Sequence, residues 1–169
     1  YGNISSSVTF SIRYDVTPPS KVTSFVATQS GSSAVLAWSN PADEDLASLT
    51  VRRSLGSFPT AVTSGTAVTS GTLVSTYTQS GLSEARYYYS IFSRDTSGNY
   101  STAATSSVYI DLTAPVVTLV GGSSLSLTQG VPYIEVGATA LDAVDGDVTS
   151  GIANSGSVSV GSLGEYTLY

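Results

Sequence analysis

The sequence has no cysteine, no histidine and no methionine, a single tryptophan, and only six basic residues in 169. Each shortage excludes something. Without His or Cys, no Ser-His-Asp or Cys-His nucleophile system can be assembled. Zinc, haem and iron–sulfur centres lose their usual ligands. No disulfide framework is available, so any small domain must be held by its own core. Twelve acidic residues against the six basic ones give a net charge of −6 and a pI near 4.2. Such a surface repels nucleic-acid phosphate and anionic lipid. No apolar run approaches the roughly 18 residues of a bilayer-spanning helix. Neither a nucleic-acid partner nor membrane insertion is expected. The first residues do not read as a secretory leader, so the chain is expected to start at a mature or internal point.

What is abundant is serine and threonine, nearly a third of the chain, with eleven tyrosines and sixteen glycines. A chain with one Lys, 11% charged residues and this much Ser, Thr, Tyr and Gly has the composition of an extracellular or cell-surface protein. At 169 residues it is too long for one immunoglobulin-sized sandwich and short for two complete ones with linkers.

An internal repeat sets the organisation. YGNISSSVTFSIRYDVTPP at 1–19 aligns without a gap on SGNYSTAATSSVYIDLTAP at 97–115, an offset of 96. Gly2 meets Gly98, Asn3 meets Asn99, Ile12 meets Val108, and Asp15 meets Asp111. Ninety-six residues is the size of one small β-sandwich. The two segments therefore read as the same element, the last strand of a domain followed by a linker. Residues 1–15 are expected to be the last strand of a preceding or neighbouring domain, 16–112 one complete domain, and 113–169 an incomplete third. The DVTPP and DLTAP linkers contain proline, which fixes φ and restricts its predecessor, giving stiff joints.

No window carries a sustained helical stripe. Short runs such as KVTSFVATQ, SAVLAWSNP, LASLTVRRS, STYTQSG, RYYYSIFSRD and TAATSSVYI are rich in β-branched and aromatic residues and are bounded by turn formers. The fold class is all-β, tandem antiparallel immunoglobulin-like β-sandwiches. Trp38 is the expected core anchor. Strict alternation sends Tyr87, Tyr89 and Ile91 to the core and leaves Tyr88 and Phe92 on the outer face. Tyr87, five residues after Leu82, stands where a tyrosine-corner hydroxyl bonds back to the preceding loop.

Residues 16–112 resemble a fibronectin type III domain, on PPSKVTSFVA, Trp38 in LAWSNP, PADEDL, Leu82 with Tyr87, and RDTSGNYS. The resemblance implies a spacer or binding module, and no RGD tripeptide supports integrin binding. Residues 115–169 resemble a bacterial surface immunoglobulin-like domain, on PVVTLVGGSSLSLTQG, YIEVGATALDAVDGDVT and GSLGEYTLY. The resemblance implies that this unit stops in its penultimate strand, short of a Gly-Asn turn and a last strand. Residues 1–15 supply a Gly-Asn turn and a last strand. They are expected to complete the 113–169 sandwich of the adjacent unit, head to tail, either within a longer array or as strand donation between copies. The interface residues are then Tyr1, Gly2, Asn3, Val8, Phe10 and Ile12 on one side, with Tyr166, Leu168 and Tyr169 on the other.

Four further groups carry chemistry. Asp142, Asp145 and Asp147 around a Gly turn, with Glu135 upstream, offer hard oxygen ligands for Ca²⁺, though bonds to nearby backbone amides explain the same residues. Asp15 and Asp111 precede the linkers, where calcium at a joint would draw acids from Asp95 and Asp43–Asp45, or where a solvated joint would need none. Asn3-Ile4-Ser5 and Asn99-Tyr100-Ser101 match the N-glycosylation pattern, against a plain hairpin turn. Tyr88 and Phe92 could form a small sugar-stacking platform. The Asp43–Glu44–Asp45 loop reads as solvated rather than as a glycosidase pair.

The sequence thus points to a non-enzymatic extracellular structural protein. It would be a stiff head-to-tail repeat of a surface filament, stalk or S-layer-type assembly, with copies of itself or adjacent domains as partners. The alternative is a spacer or carbohydrate-binding accessory module of a secreted hydrolase or adhesin.

Overall fold

The computed structural model describes residue 10 and residues 14–169. Among the described residues ten strands run in the order β1 (Thr23–Ser30), β2 (Ser33–Ser39), β3 (Leu46–Ser54), β4 (Thr66–Thr72), β5 (Thr76–Gln79), β6 (Ala85–Asp95), β7 (Ala104–Ile110), β8 (Val116–Leu119), β9 (Ala138–Asp142) and β10 (Gly146–Asp147). One 3₁₀ turn follows at Thr149–Gly151, and there is no α-helix among the described residues. The chain divides into two compact units, Tyr1–Asp111 and Leu112–Tyr169.

The first unit is a sandwich of a three-stranded sheet, β1-β2-β5, on a four-stranded sheet, β4-β3-β6-β7. Every strand pair is antiparallel. Alternation along each strand supplies the core: Ala34, Leu36 and Trp38 from β2, Leu49 and Val51 from β3, Tyr87, Tyr89 and Ile91 from β6, and Ala104, Val108 and Ile110 from β7. Trp38 meets Phe25 edge to face at 6.1 Å between centroids, the orientation that ring quadrupoles favour. Its indole N–H donates to Asn40 Oδ1 at 2.9 Å, so the buried ring keeps its polar tip satisfied.

Tyrosines close one end of the core. The Tyr87 hydroxyl donates to the Ser83 carbonyl at 3.2 Å. The Tyr89 hydroxyl donates to Gln79 Oε1 at 2.8 Å. Burial pushes the Tyr89 phenol up to about 12, and the Arg53 guanidinium beside it offsets only part of that rise. Arg53 also lies over the Tyr87 ring at 5.2 Å, a cation–π contact.

Two features depart from the sequence expectation. Residues Thr66–Thr72 form β4, paired with β3 through two register shifts, a strand that is not among the runs picked out of the sequence. Phe92 was expected on an outward aromatic platform but is only 4% exposed. Tyr88 instead meets Phe58 edge to face at 5.1 Å.

The second unit is built differently. Its sheet has three short strands in the order β10-β9-β8. Ala140 is its only buried hydrophobic residue among those described. Every residue of β8 is exposed, as are Leu127, Ile134, Val136, Leu141 and Leu163.

Candidate functional site

The first candidate lies where β6 ends. Asp95 is fully buried. Its carboxylate accepts the Asn99 backbone amide and the Asn99 side-chain amide, each at 2.8 Å. Burial opposes its ionisation, but the bonds from Asn99, Gly98 and Ser97 outweigh it and hold the carboxyl below its ordinary value. The Asn99 amide also donates to the Asp15 carbonyl at 3.1 Å, which pins the linker. Asp15 in turn accepts the Thr17 amide at 2.9 Å, and Asp43 accepts the Ser20 amide at 3.2 Å. Carboxylate oxygens of Asp15, Asp45 and Asp95 lie within 4.8 Å of one another, beside a depression lined by Glu44, Thr96 and Ser97. Those three acids come from three separate sequence regions. The glycosylation-pattern residue Asn99 is committed to this network through its side-chain nitrogen.

The acidic turn of the second unit is organised by its own backbone. Asp142 Oδ1 accepts the amides of Val144 at 2.8 Å and Asp145 at 3.0 Å. Asp147 accepts the Thr149 amide at 2.9 Å, and the Thr149 bonds draw its carboxyl below the ordinary value. Glu135 accepts the Tyr133 hydroxyl at 2.6 Å and the Gly137 amide at 2.7 Å, which likewise lowers it. Carboxylate oxygens of Asp142 and Asp145 lie within 4.8 Å of each other. Asp147 and Glu135 serve separate turns.

The second candidate is the C-terminal segment of the second unit. The Tyr166 hydroxyl donates to the Ser162 carbonyl at 3.1 Å. Ser155 and Tyr169 exchange two backbone hydrogen bonds of 2.8 and 2.9 Å. Among the described residues Tyr166 and Leu168 make no backbone hydrogen bond. Tyr169 is exposed, Leu168 is partly buried. Of the expected partner residues, Phe10 is 85% exposed. Tyr1, Gly2, Asn3, Val8 and Ile12 lie outside the described residues.

The fold is thus all-β, with an immunoglobulin-like sandwich followed by a smaller β unit. Residues 117–169 match the model of a family described as bacterial surface protein, Ig-like domain. Comparison with curated proteins gives no significant match. Among solved structures the chain is similar to the spore cortex lytic enzyme SleM of Clostridium perfringens, with 17% identity, a TM-score of 0.44, and coverage of 54% of this chain and 28% of that one. It is similar to a fibronectin type III-like protein from Clostridium thermocellum, with 22% identity, a TM-score of 0.44, and coverage of 54% and 92%. A multidomain segment of titin gives 16% identity, a TM-score of 0.42, and coverage of 55% and 32%. The chain therefore spans under a third of the lytic enzyme's length.

Proposed function

We propose that this chain is a non-enzymatic structural module of an extracellular, cell-surface filament, stalk or S-layer-type assembly, in which units join head to tail. The observation that carries the reading is the uncovered apolar surface of the second unit. Val116, Val117, Leu119, Ile134 and Leu141 are all more than half exposed. Exposed apolar groups in such density mark a surface that is covered in the working state. The segment at residues 1–15 is a matching cover, because its repeat partner at 97–111 contains β7, a strand that closes the first unit. A contact of this kind uses two different patches of the molecule, so it propagates into a filament rather than closing a dimer. The description of the matched family supports a place at the cell surface.

Electron microscopy of the purified chain, with denaturing gel electrophoresis beside it, tests the reading. Regular filaments that fall to a band near 17.3 kDa are expected. Dispersed monomers at high concentration would overturn it.

A further inference from the structure

The second unit holds an open cleft of about 330 Å³ between the stretch around Tyr133 and the pair of segments joined at Ser155 and Tyr169. We infer that this cleft binds a neutral saccharide, with the C–H face of a sugar ring against Tyr133, Val158 and Leu168 and its hydroxyls bonded to Glu135, Asn154 and Ser157. Every one of these residues belongs to the second unit, and the inference stands independently of the head-to-tail reading.

Two local devices frame the cleft. The first is a close backbone approach. Gly156 has φ +104°, and a Cβ there would lie 2.8 Å from the Thr167 carbonyl oxygen and 2.9 Å from the Leu168 side chain. Glycine lets residues 154–158 come this near to residues 167–169, which sets the half-buried Val158 and Leu168 together in the lining. The second is a hydrogen-bonded pair. Glu135 accepts the Tyr133 hydroxyl at 2.6 Å and the Gly137 amide at 2.7 Å. These bonds fix the half-buried Tyr133 ring relative to the carboxylate. They also hold the carboxyl below its ordinary value, so it is an acceptor at neutral pH. Each carboxylate oxygen keeps a lone pair for a ligand.

The chemistry of the lining selects the ligand. Residues 112–169 carry five carboxylates and no Lys or Arg, so phosphate, sulfate or uronate is repelled. Glu135 is the only acid lining the cleft among the described residues, too few charged oxygens for calcium. What remains is an apolar surface beside groups that donate and accept. A pyranose ring matches it, with C–H bonds on one face and hydroxyls around its rim. Asn154 and Ser157 each donate and accept, as a sugar hydroxyl does, whereas Glu135 only accepts. Both Asn154 and Ser157 are exposed, and among the described residues their side chains make no hydrogen bond. The volume lies at the small end of ligand sites, which run about 300–1,000 Å³, and suits a mono- or disaccharide.

Saturation-transfer NMR on the full chain tests the site. The probes are maltose, cellobiose, lactose and N,N′-diacetylchitobiose, with galacturonate and choline beside them. Leu168 is the one cleft residue also expected at the joint between units, so the spectra are taken on dilute chain that electron microscopy shows to be unassembled. At least one neutral disaccharide should bind with a Kd of about 1–10 mM, with the strongest transfer to its ring C–H protons. Tyr133→Ala should weaken that binding about tenfold. Asn154→Ala, at an exposed position that leaves packing unchanged, should weaken it about fivefold. Circular dichroism checks that both variants fold. No transfer to any neutral disaccharide would overturn the inference. So would tighter binding of galacturonate or choline, or binding that Asn154→Ala leaves unchanged, which would put the ligand elsewhere on the chain. None of these results bears on filament formation, which is read separately in concentrated samples.

Discussion

The side chain of Asn99 bonds the Asp95 carboxylate at 2.8 Å and the Asp15 carbonyl at 3.1 Å, so one amide joins the end of β6 to the linker. The Asp95 carboxyl is fully buried and is held below its ordinary value of 3.8. A carboxyl lowered in the folded state contributes stability above its unfolded value and loses it as pH falls through the folded one. The melting temperature of the first unit should therefore be flat above about pH 5 and fall below pH 4. Asn99→Ala should lower it at neutral pH and flatten the acid slope. Trp38, buried in this unit and the only tryptophan, gives the fluorescence readout. An unchanged acid slope in Asn99→Ala would contradict this account.

Gly65 and Gly31 both have left-handed φ, +67° and +55°, yet they should respond differently to alanine. At Gly31 a Cβ meets nothing within 4 Å, so only the left-handed penalty of about 1–2 kcal/mol applies. At Gly65 a Cβ would lie 2.3 Å from the Arg53 carbonyl oxygen. Overpacking adds about 1–3 kcal/mol. The loop cannot retreat easily, because Arg52 grips the Ser64 and Gly65 carbonyls at 2.8 and 2.7 Å. Urea unfolding followed by Trp38 fluorescence should rank Gly65→Ala clearly below Gly31→Ala.

Tyr87→Phe removes the bond to the Ser83 carbonyl from a buried site and should cost about 1 kcal/mol. Tyr166→Phe removes the equivalent bond to Ser162 from an exposed one. In unassembled chain it should stay within about 0.5 kcal/mol. Circular dichroism melts of both variants check the contrast, and equal losses would contradict it.

The hydroxyls of Ser90 and Ser93 are buried without a hydrogen-bond partner among the described residues. Replacing a buried unsatisfied polar group by an apolar one of similar shape removes a desolvation penalty. Ser93→Ala should be neutral or stabilising by about 1 kcal/mol, although it lies inside the longest strand. A loss above 1 kcal/mol in chemical denaturation would show that the hydroxyl is satisfied.

Much of this fold is written locally. Period-two alternation in RYYYSIF and LASLTV marks a core face, and Tyr87, Tyr89, Ile91, Leu49 and Val51 are buried. Segment 66–72 is polar, with Gly71 inside it, so no alternation announces it. It becomes β4 because β3 offers a free edge to pair with. Phe92 obeys the alternation that takes it off the core face, and its burial depends on what folds over that face, which no local pattern encodes.

The sequence by itself determined the all-β class, the absence of His- or Cys-based chemistry and the 96-residue repeat, because composition and periodicity are properties of neighbouring residues. Tertiary structure decided the convergence of Asp15, Asp45 and Asp95, the commitment of the Asn99 amide, and the exposure of the second unit's apolar side chains. These depend on long-range strand pairing, which brings together groups up to 84 residues apart and leaves others uncovered for reasons that no local window contains.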